Sequence, residues 1–190
     1  MTADEILAKL PDEVKELEAD LAQATEDGDD DRKSEITVTL ATKRAELAEA
    51  KAEKAEADGY PKAAKMFKAA AMAETVHALA HFKAAGGVGS TEDNLKAAAD
   101  GETFEYEKMY PPMIETAKAE GNDAAARSFS LANEAEKVHA SLYKGILENL
   151  EKGADSEYYV CKVCGNVVEG EAPDTCSICG AKKQAFEKAA

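Results

Sequence analysis

The chain has 190 residues, enough for one well-buried core with a small appendage, and carries a formal net charge of −15. That charge repels nucleic acid and anionic membrane surfaces, so neither is expected as a partner. Met1 to Leu10 lacks the basic start and apolar run of a secretory leader, and no stretch of 18 apolar residues occurs, so a cytoplasmic protein is expected.

Leu10, Val14, Leu17 and Leu21 recur at intervals of four, three and four, which predicts an amphipathic helix over residues 4 to 24. Pro11 sits where it would bend or restart that helix. The acidic run from Glu26 to Asp31 reads as a solvated loop, and it lacks the twelve-residue ligand spacing of a calcium loop. An alanine-rich helix follows over about Ser34 to Ala57. Asp58-Gly59-Tyr60-Pro61 turns the chain into a second, about Pro61 to Ala85, which Gly86-Gly87 ends. Ser90 to Asp93 supplies cap residues for a third helix reaching about Glu120 and interrupted near Pro111-Pro112. Gly121-Asn122-Asp123 opens a fourth, to about Glu151, and beyond Gly153 a small β-rich module is expected. The resulting organisation is an extra N-terminal helix with acidic loop over 1–31, a four-helix bundle over 32–152, and a four-cysteine metal module over 153–190.

Glu74-Thr75-Val76-His77 recurs 62 residues later as Glu136-Lys137-Val138-His139, and Gly59 and Phe67 recur as Gly121 and Phe129. The two halves read as duplicated helical hairpins. On a helix, residues three apart project from one face, so each Glu-x-x-His pair offers a carboxylate oxygen and an imidazole nitrogen to a shared point. Two such helices facing each other would hold two metal ions, and Glu102 and Glu105, again three apart, supply further carboxylates. This donor set suits iron, manganese or zinc. His81 lies four residues after His77, its repeat partner is Tyr143, and packing is its expected role.

All four cysteines lie in Cys161-x-x-Cys164 and Cys176-x-x-Cys179, each pair closed by a glycine. That spacing predicts a tetrahedral four-thiolate site for zinc or a single iron. Tyr158, Tyr159 and Phe186 are expected to supply the module's apolar core.

Across about residues 59 to 186 the sequence resembles the rubrerythrin family of non-haem iron proteins. The resemblance rests on Asn94 to Ala99 followed by Gly101-Glu102, then Glu105, Tyr110-Pro111, Glu136 to His139 and the cysteines. It implies a mainly α chain: a ferritin-like four-helix bundle with a di-iron site, joined to a rubredoxin-like Fe(Cys)4 module, reducing hydrogen peroxide to water. By the same resemblance Glu74 and Glu136 bridge the metals, and Glu102 and His139 are terminal ligands of one iron. His77 and Glu105 exchange on the other, with Tyr110 beside the site. It further implies an electron-donor protein such as a reductase or rubredoxin, and at least a homodimer.

The first bundle helix departs from the family pattern. The family's metal-binding glutamate there, counted back from Gly59, falls on Ala41, and Glu102 shifted by 62 falls on Leu40. Neither can bind metal. Glu35 and Glu46 point roughly 120 to 140° away from that face. The bundle site is therefore expected to be either di-iron or depleted of one metal.

Overall fold

A computed structural model describes residues 3–150 and 155–189, with only the backbone described for residues 3–6. The chain divides into two compact units, Met1–Val88 and Gly89–Ala190. Among the described residues no helix is long and apolar enough to cross a membrane.

The first unit consists of α1 (Ala3–Asp27), α2 (Asp30–Ala57) and α3 (Pro61–Ala84). Leu10 and Val14 of α1 are buried against Leu40 and Leu47 of α2, flanked by Leu7, Leu17 and Leu21. Pro11 does not restart the helix, which runs through it as one element. The acidic run is not a loop either. Only Gly28 and Asp29 separate α1 from α2; Asp29 accepts a hydrogen bond from the Arg32 amide at 3.0 Å, and Asp30 and Asp31 form the first turn of α2. Negative side chains are stabilised there by the unpaired amides of a helix N-terminus, which outweighs their mutual repulsion in solvent.

α2 packs on α1 with one face and on α3 with another. Ile36, Leu40 and Leu47 line the first face, while Ala41, Ala48, Ala52 and Ala55 line a second, buried face about 110° further round. The buried residues of α3 are likewise alanines, Ala64 and Ala71. Alanine on both sides lets backbones approach closely and loses no side-chain rotamer entropy on burial. Ion pairs from Arg32 to Asp20 and from Arg44 to Glu18 also join α1 to α2. Being exposed, they set register more than stability.

In the second unit, α4 (Thr91–Phe104), a π-helical segment (Glu105–Met109) and α5 (Tyr110–Ala119) form one continuous rod beside α6 (Asp123–Glu148). The interruption expected near Pro111 and Pro112 is this π-helical segment, just before them. Pro111 and Pro112 have no amide hydrogens, and in a regular helix their rings would strike the carbonyls of Glu107 and Lys108. The wider turn, closed by Tyr110 N–H to Glu105 C=O, relieves that clash.

The duplication reaches the turns themselves. Tyr60 N–H bonds Ala55 C=O at 2.8 Å, and 62 positions on, Asn122 N–H bonds Ala117 C=O at 2.8 Å.

The chain ends in a three-stranded antiparallel sheet of order β2-β1-β3: β1 Tyr158–Cys161, β2 Val167–Glu169 and β3 Phe186–Lys188. Its fully buried side chains are Cys161 and Asn166. Tyr158, Tyr159 and Phe186, expected to form its core, are half-buried. In so small a module the sulfur cluster takes the place of an apolar core.

Candidate metal centres

Cys161 ends β1, and the turn after each cysteine pair returns an amide to the first cysteine's carbonyl, Gly165 to Cys161 at 2.8 Å and Gly180 to Cys176 at 3.0 Å. Both glycines have positive φ, +79° and +77°, which side chains with a Cβ rarely adopt. The four sulfurs lie within 4.8 Å of one another. Cys161 and Cys179 are 3.7 Å apart, and Cys164 and Cys176 3.6 Å apart. A tetrahedral ion with metal–sulfur bonds of about 2.3 Å needs edges of about 3.8 Å. These are therefore better described as edges of an ion site than as thiol–thiol hydrogen bonds.

Backbone amides are aimed at the sulfurs. Burial opposes the Cys176 thiolate, but the Cys179 and Ile178 amides, with the neighbouring thiols, carry its pKa down to about 7. Cys164 is driven the other way, by burial first, despite the Asn166 amide. One residue that sequence reasoning overlooked stands here. Asn166 is 1 % exposed, and its side-chain amide lies 3.7 Å from Cys176 Sγ, while its Oδ1 is buried without a partner. A sequence signal existed, a polar residue two places after Cys164 in a knuckle turn, but its burial is decided by the fold.

In the helical part of the second unit, Glu102 of α4 and Glu136 and His139 of α6 bring three donor atoms together. His139 Nδ1 lies 2.8 Å from Glu136 Oε2 and 3.5 Å from Glu102 Oε1. Its Nε2 lies 3.1 Å from the Gly165 carbonyl oxygen. A carbonyl can only accept, so Nε2 donates to it and Nδ1 is left facing the carboxylate side, where it could ligate an ion. Burial, then the hydrogen bond and charge of Glu136 and the charge of Glu105, push the pKa of Glu102 up to about 7. Without metal, the cluster needs a shared proton.

The residues present fit a divalent cation in its place. Glu102 Oε2 is buried with no partner, and two carboxylates with one imidazole are borderline-hard donors suited to iron. Glu105 opens the π-helical segment, its pKa raised by burial and by Glu136 and lowered by His139. Tyr110 is raised by burial and by the charges of Glu136, Glu105 and Glu102. Both therefore stand against the cluster, outside its three-atom group.

In the first unit, Glu74 Oε2 lies 3.4 Å from His77 Nδ1, and the His77 side chain is 58 % exposed. Leu40 and Ala41, where a third donor would stand, are each 4 % exposed. The pair supplies two donors, too few to hold an ion alone. His81, expected to pack, is exposed with its ring 6.4 Å from that of His77. An alanine-lined helix pair has little room to bury it.

The sequence model of the rubrerythrin family matches residues 46–147, and that of the rubrerythrin rubredoxin-like domain matches residues 159–187. Rubrerythrin-2 of Clostridium acetobutylicum is 38% identical over 152 residues, 71% of this chain and 83% of the relative. Nigerythrin of Nitratidesulfovibrio vulgaris is 32% identical over 149 residues, 71% and 74% of the two chains. Among solved structures, nigerythrin in a partially reduced state is similar with a TM-score of 0.52 at 28% identity, over 82% of this chain and 84% of that one.

Proposed function

This chain belongs to the rubrerythrin family, mainly α with ferritin-like helices and a rubredoxin-like module, and we propose that it reduces hydrogen peroxide to water. Iron is the metal this reading puts in both centres, with zinc as the alternative among the thiolates. The observation that carries it is the cluster of Glu102, Glu136 and His139 with one buried carboxylate oxygen left unpartnered.

Glu102, Glu136 and His139 would hold one iron. Bound iron supplies the change in oxidation state and a Lewis acid for peroxide oxygens. The protein's own residues do the rest. Gly165 fixes the His139 tautomer and ring plane, which keeps Nδ1 available as a donor. In the metal-free cluster Glu102, with its raised pKa, holds a proton near neutral pH, which a bound cation would displace. An iron bound by the four thiolates would accept electrons one at a time from a reductase or rubredoxin-type donor. The contact from the Cys164–Gly165 turn to His139 gives them a short route within one chain. A cytoplasmic homodimer is the proposed assembly.

A second reading, a metal-binding or sensing protein with little turnover, is favoured by Ala41, which removes a ligand from the first helix. Visible absorption separates the two. An oxidised Fe(Cys)4 centre is red, a zinc one colourless. Anaerobically reduced protein that regains its red absorption promptly on adding hydrogen peroxide supports peroxidase function; red protein that stays bleached supports the second reading.

A further inference from the structure

Beside the carboxylate cluster lies a cavity of about 520 Å³, partly open to solvent, with Glu102 and His139 among its lining residues. Its walls are Leu142 and Ile146 of α6 and Val160 and Val167 of the sheet, with the rings of Tyr143 and Tyr158. Hydrogen peroxide, two oxygens and no carbon, has no use for such walls. A hydrocarbon group that covers such walls and displaces the water against them gains roughly 25 cal/mol per Å² of apolar surface covered. Small-molecule sites have this character: roughly 300–1,000 Å³, apolar walls and a few convergent polar groups at one end. Here the polar groups are the Glu102 and His139 side chains of the metal-ligand cluster.

We propose that this cavity receives the hydrocarbon part of an alkyl or aryl hydroperoxide, R–O–O–H, whose peroxy end lies at Glu102 and His139. The inference deepens the peroxide-reducing reading and rests on it. The reaction balances as ROOH + 2 e⁻ + 2 H⁺ → ROH + H₂O. The O–O bond breaks, one oxygen leaves in the alcohol and the other in water. The two electrons come singly from a one-electron donor protein by way of the four-thiolate centre. An unbranched small peroxide would gain nothing from the walls, whereas a substrate with a bulky hydrocarbon group would.

The test uses the full iron-loaded chain with hydrogen peroxide, cumene hydroperoxide and the unreactive product cumyl alcohol. The chain has no tryptophan, so its emission comes from tyrosines, two of which line the cavity. Cumyl alcohol is expected to change that emission saturably, with and without iron in the bundle. Leu142→Phe and Ile146→Phe, each narrowing the cavity, should weaken this binding and lower kcat/KM for cumene hydroperoxide about tenfold or more, a loss of about 1.4 kcal/mol, with hydrogen peroxide turnover within about twofold. An unchanged red absorption and helix content establishes that the variants fold, and binding by the unaltered chain needs no variant. Turnover of hydrogen peroxide alone, no saturable cumyl alcohol binding, or equal losses for both peroxides overturns the hydroperoxide inference and leaves the peroxidase reading intact. No turnover with either peroxide overturns both.

Discussion

His139 Nε2 lies 3.1 Å from the carbonyl oxygen of Gly165, while Nδ1 of the same ring lies 2.8 Å from Glu136 Oε2. One imidazole therefore joins the turn after Cys164 to the carboxylate cluster. His139→Ala and Glu136→Ala each remove a donor from a three-donor group. Iron bound outside the thiolates should fall by about one atom per chain, because an ion held by two side chains is not retained. Metal analysis with quantification of the red Fe(Cys)4 band checks this; unchanged bundle iron in both variants would exclude the site.

Ala41→Glu restores a carboxylate to the first helix, but on a buried alanine face. In chelator it should lower stability by about 1–3 kcal/mol or more through overpacking and carboxylate burial. Iron should return part of that loss, since a ligand bound only by the folded state stabilises it. Thermal unfolding with and without iron, together with bundle iron content, is the measurement. A melting temperature indifferent to iron would sink the account of this helix.

Asn166→Leu removes a donor from Cys176 Sγ and, with it, the buried unpartnered Oδ1. Hydrogen bonds to thiolates favour the more negative, reduced form of an iron–sulfur centre, so the midpoint potential should shift downward. Stability should hardly change, because the departing orphan acceptor carried a desolvation cost of roughly 1–3 kcal/mol. Redox titration of the visible band reads the potential. A potential equal to that of the unaltered protein would mean the amide does not act on the sulfur.

Glu102 titrates at about pH 7 in the folded chain, against an ordinary value of 4.5. The folded state thus holds a proton that the unfolded state has released. In metal-free protein this group's contribution is fully present below about pH 4.5 and is lost as pH rises through about 7. Metal affinity should run oppositely, increasing across that interval as the competing proton departs. Glu102→Gln should flatten the slope seen in chelator. Denaturant unfolding at pH 5, 6, 7 and 8 tests it, and a stability that climbs over that span in chelator refutes the assignment.

The helices, their turns and the thiolate module were legible in the residues alone, because each rests on local rules. The stripe from Leu10 to Leu21 is a 3.6-residue period, Gly59 and Gly121 end helices, and paired Cys-x-x-Cys knuckles need no distant partner to be recognised. The internal repeat also singled out Glu136 and His139, which share a helix face by spacing, and the resemblance placed Glu102 opposite. Other features depended on balances that no window of sequence contains. The acidic run became a two-residue turn because helix-terminal amides outweighed charge repulsion. The break expected near Pro111 and Pro112 took the form of a π-helical segment just before them, because one wider turn relieves two carbonyl clashes. Asn166 and the Gly165 carbonyl act through atoms whose direction depends on how the sheet folds and where it meets α6, and the cavity beside Glu102 exists only once those elements meet. Periodicity and knuckle chemistry belong to the chain itself; burial, hydrogen-bond direction and empty volume arise only when segments far apart in sequence exclude water together.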